Sequence, residues 1–138
     1  MRIDIHSHYL PASAIERLRR GDGGYDGIVL EGQTDAPRIV HPRLGMRYPL
    51  MPEFLDRRAK LAHMDRLDID LSVLSIVPLW LFYWLEAEEA IEFCRDANDW
   101  LADFVVGTER LVGMATVPLQ APEAAAAELR RAVEELGL

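Results

Sequence analysis

Two similar segments, 75–79 (SIVPL) and 115–119 (ATVPL), lie 40 residues apart and constrain the fold of this chain more than any other feature. Each ends an almost wholly apolar run, 71–77 or 111–117, of the kind expected for a parallel strand buried on both faces. Between the two runs, apolar residues at helical spacing predict a helix over 90–105. The pattern therefore predicts repeated strand-helix units on a parallel sheet.

Helices are also predicted before and after these two strands. Ser13 and Glu16 form an S-x-x-E capping pattern that predicts a short helix to Arg20, which Gly21 ends. Two more helices are predicted, one from about Phe54 with Leu61, Met64 and Leu67 on one face, and one opening at Pro122 with Leu129, Val133 and Leu136.

Residues 21–52 are rich in Gly and Pro and predict an irregular insertion, a hairpin-like excursion with extended pieces at 27–30 and 38–41. Around it, about three βα units leave one face of each apolar strand without a covering helix. A (β/α)8 barrel needs about 200 residues or more. The predicted fold is therefore α/β, with residues 1–138 forming the N-terminal portion of a TIM barrel.

Composition excludes several classes of partner. The net charge of -8 and the pI near 4.9 argue against nucleic acid and anionic membranes. No apolar run approaches the ~20 residues that span a bilayer, and the absence of an apolar signal region predicts a cytoplasmic protein. The single cysteine, Cys94, allows no intramolecular disulfide and is expected to be a small core residue.

The first strand, Ile3-Asp4-Ile5-His6-Ser7-His8, ends in two histidines separated by one residue. Residues two apart in a strand point to the same face, so both imidazoles would project together and could share one metal ion. The alternative is a merely structural pair. Asp4 has the same parity, so it would either orient a ligand or be a carboxylate satisfied by interior neighbours.

Three stretches carry a family resemblance: residues 1–11 (MRIDIHSHYLP), residues 82–84 (FYW) and residues 110–123 (RLVGMATVPLQAPE). Together they resemble the N-terminal third of aminocarboxymuconate-semialdehyde decarboxylase and its relatives in the amidohydrolase superfamily. The resemblance implies a metal-dependent barrel enzyme, usually with zinc, in which His6 and His8 supply two ligands. It places the remaining ligands and an acid/base histidine on strands beyond residue 138, and it implies a homodimer.

Two further elements are predicted to bind substrate, one from the resemblance and one from its position after a strand. Arg47 aligns approximately with an arginine that binds a substrate carboxylate, a role that suits a guanidinium fork; a solvated loop arginine is the alternative. Trp80, Phe82, Tyr83 and Trp84 follow the second long strand, where a strand-to-helix loop would overhang the site as an apolar wall. Of these four, Trp80, Phe82 and Trp84 are the predicted substrate-binding residues. Packing under the barrel rim, or at a subunit contact, is the alternative for these aromatic residues.

The function implied is a zinc-dependent decarboxylase, or one using another divalent metal, that acts on an unsaturated or aromatic carboxylic acid. Two alternatives stay open: a metal-dependent hydrolase of the same superfamily, and a non-catalytic fragment that needs a partner to close its sheet. The other two histidines, His41 and His63, are expected to be solvated.

Overall fold

A computed structural model describes residues 1–21, 25–33 and 36–138 of the chain. The strands are β1 (Ile3–Tyr9), β2 (Val29–Glu31), β3 (Arg38–His41), β4 (Met46–Pro49), β5 (Leu71–Ile76) and β6 (Leu111–Gly113). The α-helices are α1 (Ala12–Arg20), α2 (Arg57–Arg66), α3 (Ala87–Val105) and α4 (Pro122–Glu134). Short 3-10 turns lie at Tyr25–Gly27, Pro52–Phe54 and Pro78–Trp80.

The main sheet is parallel, with the strand order β1-β5-β6. Each of its strands is followed by helix, and β1 and β5 are in addition separated by a small antiparallel sheet with the order β2-β3-β4. This arrangement is the series of βα units that the sequence predicts.

The parallel sheet has one face covered by helices and one open face. Alternate residues of β5 share a face, and Ser72, Leu74 and Ile76 lie buried on the helix-covered side. The opposite side, called the open face below, carries Ile3 and Val112, both exposed to solvent in the part of the chain that the structure describes. A sheet of this kind normally has both faces covered, so the open face is the inner wall of an incomplete barrel.

The small sheet occupies most of the predicted insertion at 21–52. The predicted extended pieces correspond to β2 and β3, whereas β4 (Met46–Pro49) had no recognisable sequence signal. β4 is short and partly polar, so its residues lack the apolar alternation that marks a strand. Residues 22–24 and 34–35 of the predicted insertion lie outside the described residues.

Two local predictions about α1 had different outcomes. Gly21 ends the helix as predicted, with φ of 72° and its N–H bonded to the carbonyls of Arg17 and Leu18. The predicted capping box is wrong: Pro11 is the N-cap, and the Ser13 hydroxyl donates instead to Asp96 on α3 at 2.7 Å. The serine therefore joins two helices and leaves the helix terminus uncapped by a side chain.

An aromatic cluster joins the small sheet to the segment after β5. His41 of β3 lies in it, fully buried, with ring centroids 6.3 Å from Phe82 and 5.8 Å from Trp84. The expectation that His41 is solvated is wrong, because the aromatic side chains enclose it. His63, by contrast, is partly exposed on α2 and lies 3.6 Å from Glu53.

The last helix packs through small and polar residues. Leu129 and Val133 are half exposed, and the buried face of α4 consists of Ala125, Glu128 and Ala132. Buried Asn98 of α3 donates to Glu128 at 2.7 Å and exchanges two hydrogen bonds with the backbone of Thr116. This network fixes the chain just beyond the C-terminal end of β6. Cys94 is buried as predicted.

No helix among the described residues is long and apolar enough to cross a bilayer.

Candidate metal and substrate site

A β-bulge in β1 decides which side chains face the site. Asp4 pairs with Ser72 and Ser7 pairs with Leu74, so three steps along β1 match two along β5. Because Ser72 and Leu74 share the helix-covered face, Asp4 and Ser7 lie on that face too. The prediction that Asp4 lies on the same face of β1 as the two histidines is therefore wrong.

The two histidines of β1 converge on the open face, next to the C-terminal end of the strand. Their ring centroids are 4.8 Å apart and the ring planes make an angle of 80°. His6 is exposed and His8 is half buried. The arrangement brings two imidazoles close enough to bind one metal ion. They lie at the C-terminal end of the strand, where TIM-barrel enzymes have their active sites.

The surroundings of His8 favour the form that binds a metal. Its Nδ1 lies 3.4 Å from the carbonyl oxygen of Ser75 and 3.3 Å from the Ser75 hydroxyl. A carbonyl oxygen only accepts, so a proton on Nδ1 is favoured and Nε2 keeps its lone pair. Burial lowers the pKa of His8, while its contact with the Ser75 backbone opposes this shift. A lowered pKa keeps the ring neutral, which is the state that coordinates metals.

The residues present fit part of a metal site. Two imidazoles that converge on one face suit zinc and other transition metals. No group of three or more potential ligands from His, Cys, Asp and Glu occurs within the described residues. The histidine pair therefore supplies two ligands, and a closed coordination sphere needs further ones.

The segment after β5 is held in a strained conformation. Phe82 has φ of 48°, in the left-handed region that bulky residues rarely adopt. The Gln120 amide group donates to the carbonyls of Phe82 and Leu85 at 3.1 and 3.2 Å. Gln120 therefore ties the chain after β6 to the strained segment after β5, at the end of the sheet that carries the histidines.

The aromatic residues predicted to bind substrate occupy different depths. Trp80 and Phe82 are fully buried, and the indole N–H of Trp80 donates to the Tyr48 hydroxyl at 2.6 Å. Trp84 is half buried, and its indole N–H donates to Asp26 at 2.8 Å. These three side chains pack toward the small sheet, where they join the segment after β5 to it.

A cleft of about 230 Å³ lies at the C-terminal ends of β5 and β6. Its lining includes Ser75, which contacts His8, together with Leu81, Tyr83, Met114 and Val117. Tyr83 and Met114 are both exposed in this cleft. Tyr83 is one of the four aromatic residues of the predicted wall and the one not predicted to bind substrate, although nothing in the sequence alone distinguishes it from its neighbours.

Arg47 lies on β4, away from the histidine strand in sequence. Its guanidinium forms an ion pair with Glu31 of β2 at 2.8 Å, and its side chain is half exposed. The group is therefore accessible to a carboxylate, which would compete with Glu31 for the same donors.

Comparison with known proteins identifies the family. The model of the amidohydrolase family (Amidohydro_2) matches residues 3–138, nearly the whole chain. The chain belongs to the amidohydrolase family. The strand with His6 and His8 lies inside the matched range, as do all the helices.

Curated relatives of this amidohydrolase are decarboxylases. The chain is 28% identical over 140 residues to 2-amino-3-carboxymuconate-6-semialdehyde decarboxylase of Dictyostelium discoideum, covering 100% of the chain and 38% of that protein. It is 45% identical over 83 residues to gamma-resorcylate decarboxylase of Rhodococcus jostii, covering 59% of the chain and 25% of that protein. The matched segments thus span between a quarter and little more than a third of the relatives' length.

Solved structures give the same fold. A Metarhizium anisopliae IDCase superposes with a TM-score of 0.75 at 26% identity, covering 95% of the chain and 39% of that protein. A dihydroxybenzoic acid decarboxylase of Polaromonas sp. JS666, solved with bound manganese and the inhibitor 2-nitroresorcinol, superposes with a TM-score of 0.61 at 29% identity, covering 99% of the chain and 36% of that protein. The predicted fold class, part of a TIM barrel, is confirmed, and a divalent metal occurs in the family.

Proposed function

We propose that the complete protein is a metal-dependent decarboxylase of an unsaturated or aromatic carboxylic acid, with zinc as the metal. The observation that carries this proposal is the pair His6 and His8 on the open face, in a chain whose curated relatives are decarboxylases. Further ligands and an acid/base histidine would come from residues after 138. The cytoplasmic location and the homodimer stay predictions.

The histidines and their neighbours would perform separate tasks. His6 and His8 would hold the cation, and Ser75 would fix the orientation of the His8 ring through Nδ1. A divalent cation at this position supplies a Lewis acid next to the substrate. In the proposed reaction, the carbon-carbon bond to the carboxylate would break, carbon dioxide would leave, and a proton from the acid/base histidine expected after residue 138 would take its place on the substrate carbon.

The substrate would lie between the histidines and the aromatic segment. The cleft beside Ser75, with Tyr83 and Met114 in its wall, has the apolar character and size to take part of a flat, conjugated ring. Arg47 would bind the carboxylate after exchanging its partner Glu31. Trp80, Phe82 and Trp84 would hold this wall in place from the side of the small sheet and keep water out.

Metal binding by the chain is the first test. We expect isothermal titration of the 138-residue chain with Zn²⁺ to give one site per chain, and His6→Ala or His8→Ala to weaken binding at least tenfold, because each variant leaves one imidazole. His63→Ala on α2 is the matched control and should bind as the unchanged chain does. Equal binding by all the variants would contradict the metal site.

The reaction is tested on a complete protein that contains this chain. Incubation with aromatic carboxylic acids such as 2,6-dihydroxybenzoate should release carbon dioxide, measured by a coupled assay, and chelation of the metal should abolish the release. Hydrolysis of amides or lactones without release of carbon dioxide would favour the hydrolase alternative and contradict decarboxylation.

A further inference from the structure

A lysine is buried beneath the strand that carries the histidines. Lys60, on the first turns of α2, is 3% exposed, and its ammonium group donates a hydrogen bond to the Ser7 hydroxyl. Ser7 lies between His6 and His8 and points to the opposite face of β1. Lysines are almost never fully buried unless paired, because removing the ammonium from water is costly. Something in this structure must offset that cost.

Asp4 supplies an opposite charge on the same face of β1. Its Oδ1 accepts the backbone N–H of His6 at 3.1 Å, and its Oδ2 accepts the Ser72 hydroxyl at 3.2 Å. The bulge places Asp4 on the helix-covered face, and the His6 N–H bonds to this carboxylate. The carboxylate thus holds the bulged backbone at the first histidine.

The Lys60–Ser7 and Asp4–His6 hydrogen bonds lie next to each other on the side of β1 opposite the histidine rings. Lys60 holds the hydroxyl of the residue between the histidines, and Asp4 holds the backbone of His6. The negative charges of Asp4 and Glu53 oppose the fall in the pKa of Lys60 that burial causes. A buried charge such as that of Lys60 rarely adds stability over an apolar residue of similar size, so stability alone does not account for it.

We propose that Lys60 is a positioning residue for the metal ligands, acting through Ser7 and Asp4 to fix the bulged backbone from which His6 and His8 project. The inference rests on the proposed metal site and extends it to residues on the other side of the sheet. Groups that orient metal ligands from outside the coordination sphere typically change metal affinity by about 10–100-fold when removed.

Zn²⁺ affinity of the 138-residue chain tests the proposal. Lys60→Met keeps the length of the side chain and removes the charge and the donor, and we expect it to weaken Zn²⁺ binding roughly tenfold or more. Lys60→Arg retains a charged donor and should restore most of the affinity. Met64→Ala, a buried change on the same helix outside the polar contacts, is the control for lost stability and should lower the melting temperature without changing the affinity.

Hydrogen exchange at the His6 amide gives a second measurement that does not depend on metal. We expect Lys60→Met to speed exchange at this amide more than at other amides of β1, whereas Met64→Ala should speed exchange across the domain. If Lys60→Met does not fold, Ser7→Ala decides, since it removes only the hydroxyl that Lys60 contacts and should also weaken Zn²⁺ binding.

The outcomes separate the two proposals. If Lys60→Met or Ser7→Ala binds Zn²⁺ with the same affinity as the unchanged chain, the role of Lys60 is overturned. The proposed metal site is not affected by that result. Loss of affinity in Lys60→Met no greater than in Met64→Ala would also overturn the role of Lys60 without affecting the metal site. Failure of the unchanged chain to bind Zn²⁺ would overturn both.

Discussion

At the scale of single residues, buried polar groups distinguish this chain from a simple apolar core. Lys60 contacts the histidine strand from below, and Asn98 bonds to both backbone groups of Thr116. His41 differs from these two, because neither ring nitrogen forms a hydrogen bond of good geometry within the described residues. An enclosed polar group without partners is costly, so His41 is a point where solution conditions can act on stability.

Acid should destabilise the chain through His41. Burial lowers its pKa, with the Leu79 backbone and the Asp26 carboxylate opposing this shift and Arg43 adding to it. The unfolded chain, with a histidine pKa near 6.5, therefore binds a proton that the folded chain excludes. Stability attributable to this group is complete above about pH 6.5 and falls by at most about 1.4 kcal/mol per pH unit below it.

Urea unfolding at pH 7.5 and pH 5.5 measures this effect. His41→Phe, which suits the aromatic surroundings, should lose less stability on acidification than the unchanged chain. His63→Phe makes the same chemical change at a partly exposed position and is the matched control. Identical losses in the unchanged chain and in His41→Phe would show that His41 does not carry the pH dependence.

The site residues differ in how far sequence alone could place them. Alternation in a short strand is enough to bring His6 and His8 to one face. It fails for Asp4, because a bulge shifts the phase and has no signal in the residues themselves. Similarly, Tyr83 and Phe82 are neighbours of similar chemistry, and only the positive φ of Phe82 and its packing decide which one lies in the cleft. Tertiary contacts therefore settle what local pattern leaves open.

At the scale of elements, apolar periodicity identifies the long helices and both later strands of the parallel sheet. Strand β6 ends at Gly113, earlier than the apolar run to 117: Met114 still bonds to Leu74 of β5, but the backbone of Thr116 bonds to the Asn98 side chain instead. Helix α4 buries alanines and Glu128 in place of its larger residues. Apolar periodicity in the sequence predicts that a helix or strand is present. Where the element ends, and which face it buries, depend on the parts of the chain that pack against it.

Gly113 in β6 has little room for a side chain. A Cβ atom there would lie 2.6 Å from the side chain of Leu138 and 3.0 Å from that of buried Leu101 on α3, so both leucines would have to move to admit a larger residue. We expect Gly113→Val to lower the free energy of unfolding by about 1–3 kcal/mol in urea titrations. Val112→Ala, on the open face of the same strand, should change it less. A fully stable Gly113→Val variant would show that α3 and the chain end move freely.

At the scale of the whole molecule, the open face is the dominant feature. It presents the histidine pair together with exposed apolar side chains such as Ile3, Ile5 and Val112. Exposed apolar patches mark surfaces that contact something else. The chain covers only 36–39% of the related solved structures, which are therefore much longer than the segment that they share with it.

The chain as it stands should bind hydrophobic dyes through the open face. Fluorescence of anilinonaphthalene sulfonate should increase with the folded chain and decrease in the double variant Ile3→Thr and Val112→Thr, since threonine keeps the β-branched shape and reduces the apolar surface. Val29→Thr, at an exposed position of β2, is the matched control and should leave the signal unchanged. Equal fluorescence from both variants would place the dye elsewhere.

The bulge in β1 also bears on how roles are transferred between homologous proteins. A relative with the same letters at these positions but a regular strand would place the residue aligned with Asp4 inside the catalytic cavity, whereas here it lies under the sheet. His6, within the bulge, and His8, which follows it, lie on the face that a regular strand would also give them. Sequence alignment alone therefore predicts the face of His6 and His8. For the acidic residue two places earlier, the face and hence the role depend on whether the strand of that protein is bulged.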